Sequence, residues 1–291
     1  MEITKATIYT QGGNQIENLT FCRTEKVNNV TAIFIDAASQ ENLDSELGAA
    51  IWVLNEDIVR WVANWRRIEF WCDAWFGTDL SKMPQDTQCL IYQKANGVYG
   101  VLMPVVSEQY KATLKGNQDG GFDIRIYSWY ENLKTVKGLA AVYAEGDNPF
   151  ELLTRCAKAA ADLLGNGLKM REERQYPEIL NYLGWCSWDA FQIRVDEQSL
   201  VAKCQEFKDK QIPVKWAMID DMWGEVHDFY DKTYDTRQEM FKLMHASKLY
   251  SFKADPRRFP NGLEGAIKKS RSSVGFAGGY GIRPYDCIVI K

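Results

Sequence analysis

The period of the hydrophobic pattern changes near residue 147, and this change constrains the fold more than any other feature of the chain. Before it, short runs of β-branched and aromatic residues alternate with turn residues such as Asn96-Gly97, which is typical of a hairpin. The runs lie at residues 6–9, 30–35, 67–72, 89–92, 97–102, 122–127 and 139–143. Many short strands at this spacing predict an antiparallel β-sandwich.

An amphipathic helix is predicted over about residues 148–165. Asn148-Pro149 is typical of a cap followed by a proline at the first helical position, and apolar residues then recur at helical spacing as far as Gly165. The charged stretch 170–177 ends in a proline and suits a boundary. We therefore predict two domains, a sandwich with its linking helix over 1–175 and a second domain over 176–291.

The second domain opens with a βαβ pattern. Residues 183–191 are predicted to form a buried strand with its exit loop, Asp196 to cap a helix, and residues 214–219 to form the next strand. The apolar face of that helix consists of Leu200, Val201, Cys204 and Phe207. The 36 positions from Gly184 to Asp220 match one βαβ unit, which builds parallel sheets or (β/α)₈ barrels. In barrels, polar residues at the carboxyl ends of strands line the active site.

Tryptophan and aspartate follow both predicted strands. Trp188 and Asp189 follow the first strand, and Asp220, Asp221 and Trp223 follow the second. A sugar needs an aromatic surface for its apolar face and carboxylates that accept hydrogen bonds from its hydroxyls. These five residues are therefore the candidate sugar-binding set. The alternative is that the tryptophans fill the mouth of a barrel while the aspartates cap loops.

The two consecutive aspartates are not expected to form a catalytic pair. Neighbouring residues on a strand point to opposite sides, whereas a retaining pair must flank one bond. Asp220 and Asp221 are better suited to accept hydrogen bonds from two sugar hydroxyls.

Composition and charge exclude several classes of protein. The formal net charge of −4 disfavours nucleic acid as a partner. The first residues lack a secretory signal, and no window reaches the roughly 18 apolar residues of a membrane span, so a cytoplasmic location is expected. The seven cysteines form no CxxC pair, and His227 and His245 fit polar surface positions. Neither a disulfide frame, a metal site nor a cofactor is predicted.

The sequence resembles a known family in two motifs, GWCSWDAF at 184–191 and WAMIDDMW at 216–223. They are similar to those of the raffinose synthase and seed imbibition protein group of glycoside hydrolase family 36, in the α-galactosidase clan. Further similar segments lie at 86–88, 144–150 and 251–263, so the resemblance covers about residues 60–268. It implies an N-terminal β-sandwich joined to a (β/α)₈ barrel, and action on α-galactosides with retention, by hydrolysis or by galactosyl transfer.

The resemblance also implies roles for the candidate residues. Trp188 is expected to pack against galactose and the two aspartates 220 and 221 to bind its hydroxyls, with Asp189 and Trp223 as neighbours in the pocket. The family's nucleophile and acid/base aspartates lie at the ends of later barrel strands, around the fourth and the sixth, and no residue here matches them. We therefore expect a truncated or frame-shifted barrel with an exposed parallel edge, weak galactoside binding and no turnover by this chain alone.

Three functions stay open at this point: part of an α-galactosidase, part of a raffinose-synthase-type galactosyltransferase, or a non-catalytic carbohydrate-binding or interaction module. The module would use aromatic residues of the sandwich, but most of these are expected to be core: Trp61, Trp65, Trp71 and Trp75. Residues 57–65 also fit a short helix. The stretch 224–260 is interpreted as a lid over the pocket, with a helix around residues 236–247.

Overall fold

The computed structural model describes residues 1–54, 57–68, 71–226, 232–274, 280–282 and 288–290, with side chains described as far as Ser270. The chain divides into two compact units, Met1–Arg174 and Gln175–Lys291. Outside the described residues lie His227, the cysteine Cys287, and Glu69 and Phe70 of the strand predicted at 67–72.

The first unit is built on one antiparallel sheet, to which thirteen strands of the described residues belong. They are β1 (Glu2–Tyr9), β2 (Gln15–Glu17), β3 (Cys22–Val27), β4 (Val30–Ala38), β5 (Ala49–Leu54), β6 (Ile58–Ile68), β7 (Trp71–Gly77), β8 (Thr87–Lys94), β9 (Tyr99–Pro104), β10 (Val106–Ser107), β11 (Tyr110–Gly116), β12 (Phe122–Tyr127) and β13 (Thr135–Gly146). The hydrogen-bonded order is β2-β1-β5-β12-β11-β8-β9-β13-β4-β3, with β10 on β11 and the β6–β7 hairpin on β8. The predicted antiparallel β-rich class is confirmed, and the sheet is continuous.

The strands β4, β9 and β13 are buried on both faces. Ile33 and Leu102 belong to the large cluster inside the sheet, whereas Ala32 and Val101 face the other way and pack under α1 (Pro149–Leu164). Successive side chains of a strand point to opposite faces, so adjacent residues of these strands belong to different hydrophobic clusters. The helix lies where the sequence predicts it. The Asn148 side chain accepts a hydrogen bond from the Phe150 N–H, and Gly165 ends the helix at a left-handed φ of 59°.

The predicted hairpin at Asn96-Gly97 is confirmed, whereas the possible helix over 57–65 is wrong. Gly97 has a φ of 86°, and the Lys94 amide donates to the Val98 carbonyl across the turn at 2.8 Å. Residues of 57–65 lie in β6 because that strand pairs on both sides, with β7 and with β8. Two neighbours' hydrogen bonds outweigh a local helical spacing of apolar residues.

The four tryptophans of the β6–β7 hairpin occupy different environments. Trp61 is buried at 3% exposure and Trp65 is half-buried, but Trp71 and Trp75 are 55% and 50% exposed. The expectation that most of them are core is therefore wrong for β7. Among the described strands β7 pairs only with β6, so its side chains have fewer neighbours to cover them.

The second unit mixes helices with short strands: β14 (Gly184–Cys186), α2 (Trp188–Phe191), α3 (Glu197–Asp209), β15 (Trp216–Ile219), β16 (Gly224–Val226), α4 (Arg237–Ala246), β17 (Leu249–Ala254), α5 (Gly262–Val274), β18 (Tyr280–Ile282) and β19 (Ile288–Ile290). One sheet has the order β14-β15-β19-β18, and β16 pairs with β17. Strands β14 and β15 are parallel, with α3 between them along the chain, which confirms the predicted βαβ unit.

Three details of the second unit bear on the sequence predictions. Asp196 caps α3 by accepting from the Ser199 N–H, and a helix does occur within 236–247. The first strand is only three residues long, because the chain turns into α2 directly after Ser187. The expectation of an exposed parallel edge is wrong at β15, since β19 pairs with it in the antiparallel sense. A full barrel remains a prediction.

No helix among the described residues is both long enough and apolar enough to cross a membrane.

Candidate functional site

The carboxyl ends of β14 and β15 lie side by side at one edge of the sheet. The strands pair in parallel register, Cys186 beside Met218, and the Ser187 amide donates to the Met218 carbonyl at 3.0 Å. Parallel strands end at the same edge, so the residues that follow them meet there. All five candidate residues come within four positions of these strand ends, and all five belong to the described part of the second unit.

The Asp220 carboxylate is fixed by hydrogen bonds from both strand ends. The Cys186 thiol donates to Oδ2 at 2.9 Å, and the Asp221 N–H donates to Oδ1 at 2.7 Å. The Asp220 N–H in turn donates to the hydroxyl of Ser187, which is fully buried, at 2.9 Å. Backbone and side chain of Asp220 are therefore both anchored to the end of the neighbouring strand.

Burial raises the pKa of the Cys186 thiol to about 11, and its hydrogen bond to Asp220 and the negative charges of Asp220 and Asp189 add to the rise. The thiol therefore stays protonated at neutral pH and acts as a donor. The influence of Asp189 also shows that its charge lies close to the end of β14.

Trp188 and Asp189 form the first turn of the short helix α2. Trp188 is half-buried and packs beside a small apolar cluster that includes Met222 and Met240. Asp189 is exposed. The indole is thus held by the protein on part of its surface, which leaves the rest of the ring open.

Asp221 and Trp223 line a cavity of about 370 Å³. The remaining wall consists of Met222, Gly224, Val226, Met244, His245, Ser247, Leu249 and Phe252. Trp188, Asp189 and Asp220 are not among the lining residues, so the structure divides the predicted set between the cavity and the sheet edge beside it.

Half of the cavity wall comes from α4, β17 and the turn between them, which lie inside the stretch interpreted as a lid. Sequence reasoning named no residue there as part of the site, and a capping box at Thr236 was the only local signal.

A left-handed residue separates the two parts of the site. Met222 has a φ of 71° and is buried, and its N–H donates to the Asp221 carboxylate at 2.5 Å. The chain reverses here, so Met222 packs in the cluster beside Trp188, while Trp223 packs in a different cluster with Ile219 and Phe259.

A buried arginine supports the loops beneath the cavity. The Arg258 guanidinium donates to the carbonyls of Ile193 at 3.2 Å, Val195 at 3.4 Å and Gly224 at 3.1 Å. These carbonyls belong to the segment after α2 and to β16, so one side chain ties both segments together. Arg258 was visible in the sequence only as part of the third resembling segment.

The described residues contain no group of three or more histidine, cysteine or acidic side chains arranged to hold a metal ion. The polar groups that do converge, two carboxylates beside indole rings, are hydrogen-bond acceptors and stacking surfaces.

Comparison with known proteins places these features in a family. Probable galactinol–sucrose galactosyltransferase 1 from Arabidopsis thaliana is 29% identical over 168 residues, which is 54% of this chain and 22% of that protein. Stachyose synthase from Pisum sativum is 24% identical over 205 residues, 67% of this chain and 23% of that protein. The chain therefore spans about a quarter of the length of these curated relatives.

Among solved structures, the GH36 alpha-galactosidase AgaA from Geobacillus stearothermophilus aligns with 95% of this chain and 45% of its own, with a TM-score of 0.49 and 12% identity. The family model described as raffinose synthase or seed imbibition protein Sip1 matches residues 3–277, which extends well beyond the motifs that suggested the resemblance. Because that match covers nearly the whole chain, the protein belongs to the raffinose synthase or seed imbibition protein family.

Proposed function

We propose that the carboxyl ends of β14 and β15 bind the galactosyl group of an α-galactoside. The observation that carries this proposal is the shared cavity of Asp221 and Trp223, with the anchored carboxylate of Asp220 beside it. Carboxylates accept strong hydrogen bonds from sugar hydroxyls, and an indole offers a flat surface for the sugar's C–H face. A cavity of about 370 Å³ falls within the range of small-molecule sites.

The role proposed for each side chain in sugar binding follows from its position. Asp221 and Trp223 contact the sugar in the cavity, whereas Asp220 and Trp188 approach it from the sheet edge and Asp189 adds negative charge there. Family membership supports galactose as the sugar, since the curated relatives are named as galactosyltransferases and as stachyose synthase.

For the reaction of a protein that carries this site, we propose galactosyl transfer with retention at the anomeric carbon. Retention requires two successive displacements, and transfer differs from hydrolysis only in whether a sugar hydroxyl or water attacks the glycosyl intermediate. The names of the curated relatives favour transfer. An α-galactosidase activity is the second candidate.

Calorimetric titration of the 291-residue chain with galactose and with melibiose tests the proposed site. We expect both sugars to bind and glucose, which differs from galactose at one hydroxyl, to bind at least about tenfold more weakly, because a carboxylate left without its hydroxyl costs about 1–3 kcal/mol. Asp221→Asn should reduce galactose affinity by a similar factor.

Asp209→Asn is the matched control, because Asp209 is an exposed aspartate at the end of α3, outside the cavity. Its variant should bind galactose like the unmodified chain. Equal affinity for glucose and galactose, or an unaffected Asp221→Asn variant, would contradict the proposal.

A further inference from the structure

We propose that the first unit carries a second saccharide site, at Trp129, which takes a neutral oligosaccharide. The site is a cavity of about 500 Å³ where β12 ends. It shares no residue with the proposed galactosyl site, so the inference does not rest on that function. The wall of the cavity includes two aromatic rings, one guanidinium and three carboxylates, those of Trp129, Tyr127, Arg125, Glu46, Asp86 and Glu131.

The indole of Trp129 is both open and held in place. Trp129 is the most exposed of the ten tryptophans, at 81%. Its ring meets the Tyr127 ring edge-to-face with the centroids 6.2 Å apart, and the Lys111 ammonium lies 5.7 Å from its centroid. A positioned, solvent-facing indole is the kind of surface on which the C–H face of a sugar stacks.

The backbone that carries the indole is also fixed. Ser128 is buried, and its hydroxyl donates to the Gln109 carbonyl at 2.6 Å and accepts from the Tyr130 N–H at 3.1 Å. The Ser128 N–H donates to the Ser45 carbonyl at 3.3 Å. The residues on both sides of Trp129 are therefore tied to neighbouring segments, which lowers the cost of ordering the site when a ligand binds.

The polar groups of the wall have hydrogen-bonding capacity to offer. Among the residues that the structure describes, neither the three carboxylates nor the guanidinium makes a side-chain hydrogen bond or an ion pair. Arg125 lies two positions before Tyr127 in β12, so both side chains are on the same face of the strand. A sugar hydroxyl donates to a carboxylate and accepts from a guanidinium, so a wall that holds both kinds of group beside an indole suits a polyol.

Charge and size favour a neutral ligand of more than one ring. Three carboxylates outnumber one guanidinium in the wall, which disfavours anions. The Lys111 ammonium already lies over both aromatic rings, which disfavours a cationic ligand there. The cavity of about 500 Å³ is larger than the cavity of about 370 Å³ proposed for one galactosyl group, so it has room for a longer saccharide.

The first test follows the indole N–H signals of the full chain by NMR while raffinose, a neutral trisaccharide, is added. The Trp129 signal is the one that Trp129→Phe removes, and we expect raffinose to shift it. Trp75 is the matched control, because its half-exposed ring lies on β7, outside the cavity, and its signal should stay in place. In the Asp221→Asn variant the Trp129 shift should persist with the same raffinose affinity.

The second test compares variants of the wall. Arg125→Met removes the guanidinium and should weaken raffinose binding, read from the Trp129 signal, about three- to tenfold, the equivalent of one hydrogen bond. Arg23→Met is its control, because Arg23 is an exposed arginine of β3 outside the cavity. Trp129→Ala, measured by calorimetry in the Asp221→Asn chain, should weaken binding at least about tenfold.

A third titration uses trigalacturonate, an anionic trisaccharide, at the same ionic strength. We expect it to bind at Trp129 at least about tenfold more weakly than raffinose, because its carboxylates meet those of the wall. Tighter binding of trigalacturonate would overturn the assignment of a neutral ligand.

The outcomes separate this inference from the proposed function. A Trp129 signal that raffinose does not shift overturns the inference, as does a shift that Trp75 shares or that Asp221→Asn abolishes. A Trp129 shift in a chain that does not bind galactose at Asp221 means that the proposed function fails while the second site stands. If Arg125→Met does not fold, Trp129→Ala decides, since its side chain is mostly exposed; unchanged raffinose affinity in that variant overturns the inference.

Discussion

Met222 is the residue on which the shape of the site depends most directly. It is a non-glycine residue at a φ of 71°, where the side chain of an L-residue crowds its own backbone. The structure accepts this conformation because it turns the chain between Asp221 and Trp223, which both line the cavity. Burial of the Met222 side chain in the cluster beside Trp188 offsets the cost.

At Met222, a glycine variant should therefore be more stable than an alanine variant, which is the reverse of the order at most positions. Both Met222→Ala and Met222→Gly lose the buried side chain, but only alanine keeps a Cβ in the left-handed conformation. We expect the glycine variant to be more stable than the alanine variant by about 1 kcal/mol, measured by chemical denaturation. An alanine variant as stable as the glycine variant would show that the turn relaxes to a negative φ.

At the same scale, the sequence argument that separates Asp220 from Asp221 is incomplete. The argument that consecutive residues point to opposite sides assumes strand geometry, whereas Asp220 and Asp221 follow the end of β15. They do face different surroundings: the Cys186 thiol holds the Asp220 carboxylate at the end of β14, whereas Asp221 lines the cavity. Neither contact is visible in a local pattern.

Among the elements, α3 and α5 are joined by a buried carboxylate. Glu197, in the first turn of α3, accepts hydrogen bonds from the Asn261 side chain at 2.9 Å and the Asn261 backbone at 3.2 Å, and from Lys269 at 2.5 Å. Burial alone raises the pKa of Glu197, but the hydrogen bonds from Lys269 and Asn261 outweigh it and hold the pKa below its ordinary value of 4.5.

This carboxylate should make the second unit sensitive to acid. Because the folded pKa lies below the unfolded one, the stabilisation is complete above about pH 4.5 and is lost as the pH falls through the folded pKa. Glu197→Gln removes the charge at every pH, so we expect it to lower the free energy of unfolding by about 1–2 kcal/mol at pH 7 and by less at pH 3. Unfolding curves at the two pH values measure the difference; an equal loss at both would contradict it.

How far the elements could be predicted depended on where their determinants lie. Helices α1 and α3 and the hairpin at Asn96-Gly97 are set by local signals, a cap, a proline or a turn pair, and were predicted. Strand β6 was ambiguous because its conformation is decided by hydrogen bonds to β7 and β8, which a local sequence pattern does not show. The stretch that contains α4 and β17 was interpreted as a lid, but the residues of it that line the cavity could not be named because their position depends on tertiary packing.

At the scale of the whole molecule, two compact units carry different parts of the family's fold. The first is a continuous antiparallel sheet with one covering helix, and the second begins with a parallel strand pair. The five residues of the proposed galactosyl site all belong to the second unit. The family resemblance assigns catalysis to aspartates that follow later barrel strands, and none of these five residues is one of them.

We expect the 291-residue chain to bind galactosides without turning them over, because Asp220 and Asp221 are predicted to bind hydroxyls and not to act as a catalytic pair. Incubation with melibiose, followed by chromatographic measurement of free galactose, should show no release above that of a buffer blank. Hydrogen bonds to the sugar hydroxyls provide binding energy, but a retaining mechanism also requires a nucleophile and an acid. Release of galactose that Asp221→Asn abolishes would show that the chain carries its own catalytic carboxylates.

The unequal burial of the tryptophans has an optical consequence. Trp71 and Trp75 on β7 are half-exposed, whereas Trp61 on the neighbouring strand is almost completely buried and Trp223 is partly buried at the cavity. A small aqueous quencher such as acrylamide extinguishes the fluorescence of exposed indoles first. The emission that survives then comes mainly from the buried and partly buried rings, of which Trp223 is one, so a sugar that binds against Trp223 should change it.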